Sequence, residues 1–290
     1  MHYEGAHIIR PPSEADSIIL QVTVGCSHNR CTFCGTYKEE RFRIKDETVV
    51  EADLDFAARY CRRQNRVFLA DGDVLALSQK RLAALLARIR LRLPWVNRVG
   101  LYGNARAIRG KSVADLVQLK ALGLNRVYMG LESGHDQVLA AIAKGADSGQ
   151  MIEAATRVRQ AGIFLSVTAL LGIGGRELSL EHARATGRVL SAMQPSQTAI
   201  LTLMLLKNTP LYLLEKTGEF KLPDQDGLLQ ELRAMVEHLD LARGQLQSNH
   251  ASNYLAINAR LPRDKAAVLA AIDQALAGHT PLKPEHLRAL

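Results

Sequence analysis

Aromatic side chains are scarce in this chain: one Trp, seven Tyr and six Phe make up 5% of 290 residues. Proteins that grip nucleic acid by stacking interleave rings with cations, whereas here the 37 Lys and Arg residues are dispersed. Long apolar runs are missing too. The clearest, from Ala161 to Gly175, falls short of the ~20 residues a membrane-spanning helix needs and is broken by glycines, so no membrane partner is expected. Met1 to Arg10 carries charges and histidines where a secretory leader would place an apolar core, and a cytoplasmic location is expected. Cysteine is rare as well. Three of the four cysteines fall within nine residues, which makes no disulfide framework and in a reducing compartment points to metal. What is plentiful is positive charge: 37 basic against 29 acidic residues give +8, a surface that favours anionic partners.

Short apolar runs alternate with longer amphipathic segments, the pattern of repeated strand–helix units. Strands are expected over 18–24, 66–70, 97–102, 125–131, 163–171 and 197–203. Helices are expected over 49–63, 78–93, 112–122, 148–161, 179–193 and 211–217. Six such units favour an α/β fold, a partial (β/α)6 TIM-like barrel with right-handed crossovers. After Pro223 the alternation stops, and helices over 228–242 and 263–277 flank a polar stretch, 244–262. The expected organisation is an N-terminal segment (1–17), the barrel (18–222) and a C-terminal helical extension (223–290).

Cys26, Cys31 and Cys34 are spaced C-x4-C-x2-C on the loop leaving the first strand, at the barrel end where active sites are built. Three thiolates from one loop can ligate three irons of a [4Fe-4S] cubane and leave the fourth iron without a protein ligand. A bidentate small molecule can occupy that open corner. Thiolates also select zinc, for which His28 offers a fourth ligand, and the spacing alone leaves both metals open. Cys61 lies among Phe56, Ala57 and Tyr60 on the first expected helix and reads as a small core residue.

The stretch Gly25-Cys26-Ser27-His28-Asn29-Arg30-Cys31-Thr32-Phe33-Cys34 resembles the cluster loop of radical SAM enzymes, one residue longer than the commonest spacing. That resemblance implies a [4Fe-4S] cluster on Cys26, Cys31 and Cys34, with S-adenosylmethionine (SAM) as the second cofactor. It also implies that Phe33 contacts the adenine. Asp71-Gly72-Asp73 looks like the short acidic motif that receives the SAM amino group, and Met129-Gly130-Leu131-Glu132-Ser133-Gly134 like the ribose-binding segment, with Glu132 accepting from the hydroxyls. Its continuation to Lys144-Gly145 is similar to the coproporphyrinogen-oxidase-like and tRNA-modifying branches. By the same resemblance Arg159 pairs with the SAM carboxylate, with Arg157 as its competitor, and Gly172 and Ile173 line the adenine. Asn104, at the end of the third strand, faces the cofactor or substrate, or caps a helix.

The resemblance names cofactor and initiation chemistry and leaves the substrate open. The polar run Ser248-Asn249-His250-Ala251-Ser252-Asn253-Tyr254 suggests that His250, Asn253 and Tyr254 line the substrate side, with His250 and Tyr254 as catalytic residues; a solvated loop with helix caps is the alternative. A small-molecule substrate is expected, with Lys38, Arg41 and Arg43 suiting an anionic one, and an external one-electron donor of flavodoxin or ferredoxin type as partner. Two other readings remain: an RNA-modifying radical SAM enzyme, and a basic zinc or iron-sulfur module that binds nucleic acid without catalysis.

Overall fold

In the computed structural model, which describes residues 1–5 and 8–289, the apolar runs become strands β1 (Ile18–Gln21), β2 (Thr23–Val24), β3 (Arg43–Ile44), β4 (Arg66–Ala70), β5 (Arg98–Tyr102), β6 (Leu124–Glu132), β7 (Phe164–Leu171) and β8 (Gln197–Thr202), followed by β9 (Gly244–Gln247) and β10 (Asn258–Leu261). The helices are α1 (Glu47–Tyr60), α2 (Gln79–Arg92), α3 (Ala105–Arg109), α4 (Val113–Ala121), α5 (Asp136–Ala141), α6 (Ser148–Gln160), α7 (Ser179–Met193), α8 (Pro210–Thr217), α9 (Gln225–Glu237) and α10 (Lys265–Leu276). Three of the helices start where capping side chains dictate. Asp46 accepts from Thr48 N ahead of α1, Ser78 from Arg81 N ahead of α2, and Ser112 with Asp115 forms a full capping box on α4. Strand order in the main sheet is β1-β4-β5-β6-β7-β8-β9-β10, mostly parallel, while β2 and β3 form a separate antiparallel ladder.

The chain divides into two compact units. The first comprises Met1–Asn29, Thr36–Met129 and Thr156–Leu165. Here β1 pairs parallel with β4 (Ile18 beside Val67), β4 with β5 and β5 with β6, each register bringing strand C-termini to one end. Their inward side chains build an aromatic centre in which Phe68 meets Tyr102 edge-on at 5.2 Å and Tyr128 at 5.9 Å. Below it a 3-10 turn, Pro12–Glu14, delivers a fully buried carboxylate. Glu14 is neutralised by Arg98 at 2.9 and 3.0 Å and bonded by Tyr128 Oη at 2.5 Å, which makes the N-terminal segment part of the core.

The second unit comprises Arg30–Gly35, Gly130–Ala155 and Ser166–Leu290. β7 pairs parallel with β8, and β8 with β9, under a layer formed by α7 and α9. Leu190, Met193, Leu232, Met235 and Leu246 are buried in it. Here the structure departs from the sequence expectation. The strand–helix alternation continues past Pro223 through α9 into β9, and β10 returns antiparallel beside it, so the C-terminal extension carries strands as well as helices. β9 leaves no strand signal in the sequence because it is short and half-polar: Leu246 is buried while Gln245 faces water. α3 and α5, five and six residues long, are too brief for a helical period to register.

Candidate functional site

In the first unit the cysteine loop begins at Gly25 and is clamped by the turn after β4. Asp71, at φ +78°, turns its carboxylate back on the loop: Oδ2 accepts from Gln21 Nε2 at 2.8 Å and Gly25 N at 3.2 Å, and Oδ1 from Tyr37 Oη at 3.3 Å. Gly72 N donates to Gly25 O at 3.1 Å. A Cβ on Gly72 would sit 2.7 Å from the Cβ of Cys26, an approach only glycine allows.

Asp73 is the other carboxylate of the turn, fully buried. Its Oδ2 accepts from Ser27 Oγ and, at 2.6 Å, from Asn104 Nδ2, while among the described residues Oδ1 has no partner. Burial raises its pKa to about 6, against the opposing pull of the Ser27 and Asn104 hydrogen bonds and of the Lys111 charge. Asn104 caps α3, its Oδ1 accepting from Ala107 N at 2.8 Å, while Nδ2 braces Asp73. Lys111, unremarked in the sequence, is buried with Nζ on Leu77 O at 2.8 Å.

In the second unit Cys31, Phe33 and Cys34 lie on a short segment fastened at both ends. Thr32 N donates to Ile142 O at 2.9 Å, Leu211 N to Thr32 O at 3.0 Å, and Asn208 Nδ2 to Gly35 O at 2.9 Å. Glu132 closes β6 in a left-handed conformation, φ +66°, and its Oε1 receives Lys144 Nζ at 2.9 Å. A non-glycine residue held there carries strain of order 1 kcal/mol, the kind retained where a side chain must be aimed. The Ser133–Gly134 turn beyond it is anchored to α7: Ser133 Oγ meets His182 Nδ1 at 2.7 Å, and Thr186 Oγ1 takes Gly134 N at 2.8 Å. Burial lowers the His182 pKa to about 4, so the ring is neutral, with Nε2 directed at Leu170 O.

Gly172, at φ +83°, follows β7; its N donates to Glu231 Oε2 at 2.6 Å, and a Cβ there would stand 2.9 Å from Leu222 Cδ2. Ile173 is buried beside it. Glu231, on α9, is fully buried, and burial pushes its pKa up to about 7. Its side chain fixes the turn that sequence reasoning assigned to the adenine, yet nothing in the local pattern of α9 marks it.

The remaining expected residues are placed as follows. Arg159 is exposed on α6, while Arg157 is half-buried and donates to Arg109 O at 2.8 Å and Lys111 O at 2.9 Å. His250 is half-buried with Nδ1 at Ser252 Oγ, 2.9 Å. Asn253 is saturated: it donates to Ile200 O at 2.7 Å and Ser248 Oγ at 2.9 Å, and accepts from Thr202 Oγ1 at 2.8 Å. The Tyr254 hydroxyl engages Glu285 and, at 2.5 Å, Arg288, whose guanidinium lies 4.2 Å from the ring centroid. Arg43 is paired with Glu4 at 2.7 Å. Among the described residues no helix is long and apolar enough to cross a membrane.

The donor set fits an iron-sulfur cluster: three half-buried cysteines within nine residues, none of them in a disulfide. It also fits a cationic group beside it, because the unpartnered Asp73 oxygen is an acceptor awaiting a donor.

Comparison with known proteins bears on the same segment. Among solved structures the chain is similar to methylornithine synthase (15% identity, TM-score 0.53, 77% of this chain and 63% of that one). It is likewise similar to coproporphyrinogen III oxidase from Escherichia coli, described as a radical SAM enzyme (16%, TM-score 0.55, 76% and 51%). A third is the radical S-adenosylmethionine methyltransferase TsrM from Kitasatospora setae, solved with cobalamin and a [4Fe-4S] cluster bound (20%, TM-score 0.56, 71% and 41%). The chain thus spans between about two fifths and just under two thirds of the length of these proteins, and at such identities the likeness speaks for the partial-barrel fold. No curated protein sequence matches it. The family model for the radical SAM superfamily, however, matches residues 20–186, from β1 through the cysteine loop and the Glu132 segment into α7, and this protein therefore belongs to the radical SAM superfamily.

Proposed function

We propose that the chain holds a [4Fe-4S] cluster on Cys26, Cys31 and Cys34, cleaves SAM reductively, and takes hydrogen from an anionic small-molecule substrate. When bound, the cluster supplies the electron that breaks a carbon–sulfur bond of SAM, giving the 5'-deoxyadenosyl radical that removes the hydrogen. The chain's own residues bind and orient.

The observation that carries this reading is the orphaned Asp73 oxygen next to the start of the cysteine loop. Asp73 receives the SAM ammonium through Oδ1, with Ser27 and Asn104 holding the other oxygen. Asp71 has both oxygens engaged and serves instead to fasten Gly25. Glu132, steadied by Lys144, takes the ribose hydroxyls. Phe33 and the Gly172-Ile173 turn receive the adenine, and the exposed Arg159 is proposed for the carboxylate, since Arg157 is committed to backbone carbonyls. His250 and Tyr254 are proposed for the substrate side, with Lys38 and Arg41 nearer the loop for an anion. The electron comes from an external flavodoxin- or ferredoxin-type donor in the cytoplasm.

The test is anaerobic reconstitution, iron and sulfide analysis, and assay of 5'-deoxyadenosine with dithionite. Support is about four irons and four sulfides per chain, with product formation lost in Cys31→Ala. Stoichiometric zinc without sulfide, or no 5'-deoxyadenosine, rejects the reading.

The +8 charge favours a second reading, RNA as substrate, and α2 contributes Lys80, Arg81, Arg88, Arg90 and Arg92 without one acid. Arg88 and Arg92 are, however, paired with Glu47, Glu51 and Asp55. Filter binding across salt decides: phosphate contacts give a steep slope, and none gives a flat one.

A further inference from the structure

In the sequence Lys144 stands only at the end of a motif. Its surroundings give it more to do. α5 ends in a Schellman closure in which Lys144 N bonds Leu139 O at 3.0 Å and Ala143 N bonds Ala140 O at 3.0 Å. The left-handed position of such a closure normally falls to glycine, yet here Ala143 holds it at φ +51°, and Gly145 follows at φ +76°. This strained exit turns Lys144 inward, where its side chain is only 13% exposed.

A buried ammonium is costly unless it is paired. Lys144 Nζ lies 2.9 Å from Glu132 Oε1 and 6.0 Å from the centroid of the Phe33 ring, at the edge of cation–π range. Phe33 stands between Cys31 and Cys34 in a segment tied by Thr32 N to Ile142 O, two residues before Lys144. Burial works to lower the Lys144 pKa, but the Glu132 carboxylate and the Cys31 and Cys34 sulfurs outweigh it and hold it above the ordinary lysine value.

We propose that Lys144 is a positioning and charge-balancing residue: its ammonium, held by the Glu132 carboxylate 6.0 Å from the ring of Phe33, which stands between Cys31 and Cys34, offsets the negative charge of the cluster and so sets how easily it accepts an electron. The inference rests on the reading of those cysteines as cluster ligands. A positive charge close to the cluster stabilises the reduced state, which is more negative by one, and raises the reduction potential. Glu132 partly cancels that field, so the two residues act with opposite sign.

The test is a potentiometric titration followed by the EPR signal of the reduced cluster, in reconstituted wild type and in K144M, K144R and E132Q. K144M is expected to titrate at lower potential, with the ratio of reduced to oxidised cluster at the wild-type midpoint about tenfold lower, equivalent to about 59 mV for one electron. K144R should restore the wild-type value, and E132Q should shift it upward. General loosening of the site would not give opposite signs and a charge-conserving rescue. A wild type that loads a cluster and cleaves SAM while K144M titrates at the same midpoint overturns this inference and leaves the proposed function intact. A wild type that loads no cluster overturns both.

Discussion

Glu231→Gln should make the protein more stable at pH 8 and less stable at pH 4.5. Glu231 is fully buried on α9 with one oxygen on Gly172 N, and burial raises its pKa from 4.5 to about 7. The unfolded chain therefore gives up this proton first. The stability contributed by the protonated carboxyl is fully present below pH 4.5 and is lost as pH rises through about 7. At about 1.36 kcal/mol per pH unit, the interval from 4.5 to about 7 corresponds to a loss of ~3 kcal/mol. Glutamine keeps an acceptor for Gly172 N but does not ionise, and its curve lacks this slope. Its amide N–H groups fall where, among the described residues, Oε1 has no hydrogen-bond partner, at a cost of ~1 kcal/mol, so the net gain at pH 8 is ~2 kcal/mol and the curves cross near pH 5. Urea unfolding followed by far-ultraviolet circular dichroism from pH 4.5 to 8.5 measures both curves. Parallel curves would refute the assignment of a raised, burial-driven pKa.

Gly72→Ala should push Cys26 out of place, because the new methyl meets Cys26 Cβ at 2.7 Å; we expect a loss of ~1–3 kcal/mol by thermal unfolding and reduced iron loading, and normal iron content would contradict this. Asp73→Asn removes a charge-assisted hydrogen bond worth ~1.5–3 kcal/mol, so the SAM dissociation constant should rise by about tenfold or more in calorimetry while iron content stays the same. Wild-type SAM affinity should fall in step as pH drops through about 6, where Asp73 protonates. His182 works in the opposite sense to Glu231. Its pKa is lowered from 6.5 to about 4, so its contribution is complete above pH 6.5 and is lost as pH falls to about 4, and His182→Asn should abolish that limb of the acid unfolding curve.

Those residues also mark how far the sequence could be read. The alternation of apolar runs located β4 (Arg66–Ala70) and α7 (Ser179–Met193) to the residue, because each is long enough for its period to repeat. The Cys26–Cys34 loop was legible because its ligands lie within nine residues. What stayed hidden depends on chain segments that meet only after folding. Ser27, Asp73 and Asn104 form one hydrogen-bonded group across 77 positions, and Glu231 reaches Gly172 across 59. No local pattern distinguishes Asp73, with its spare oxygen, from Asp71, whose oxygens are spent on the loop; the difference lies in which neighbours arrive. Likewise β10 is a half-polar tetrapeptide whose strand character comes from β9 rather than from its own residues.

The shortness of β10 has an effect on how the molecule behaves among its own kind. A sheet that ended on a long parallel strand would offer a row of unused amides to any passing chain, the usual start of fibrous self-association. Here the margin is four residues long, Asn258 and Arg260 are exposed on it, the Arg260 amide is already bonded to Asp264 at 2.8 Å, and Pro262 brings no N–H at all. Little remains for a second strand to zip onto, so crowding at high expression should leave this border of the protein unattached.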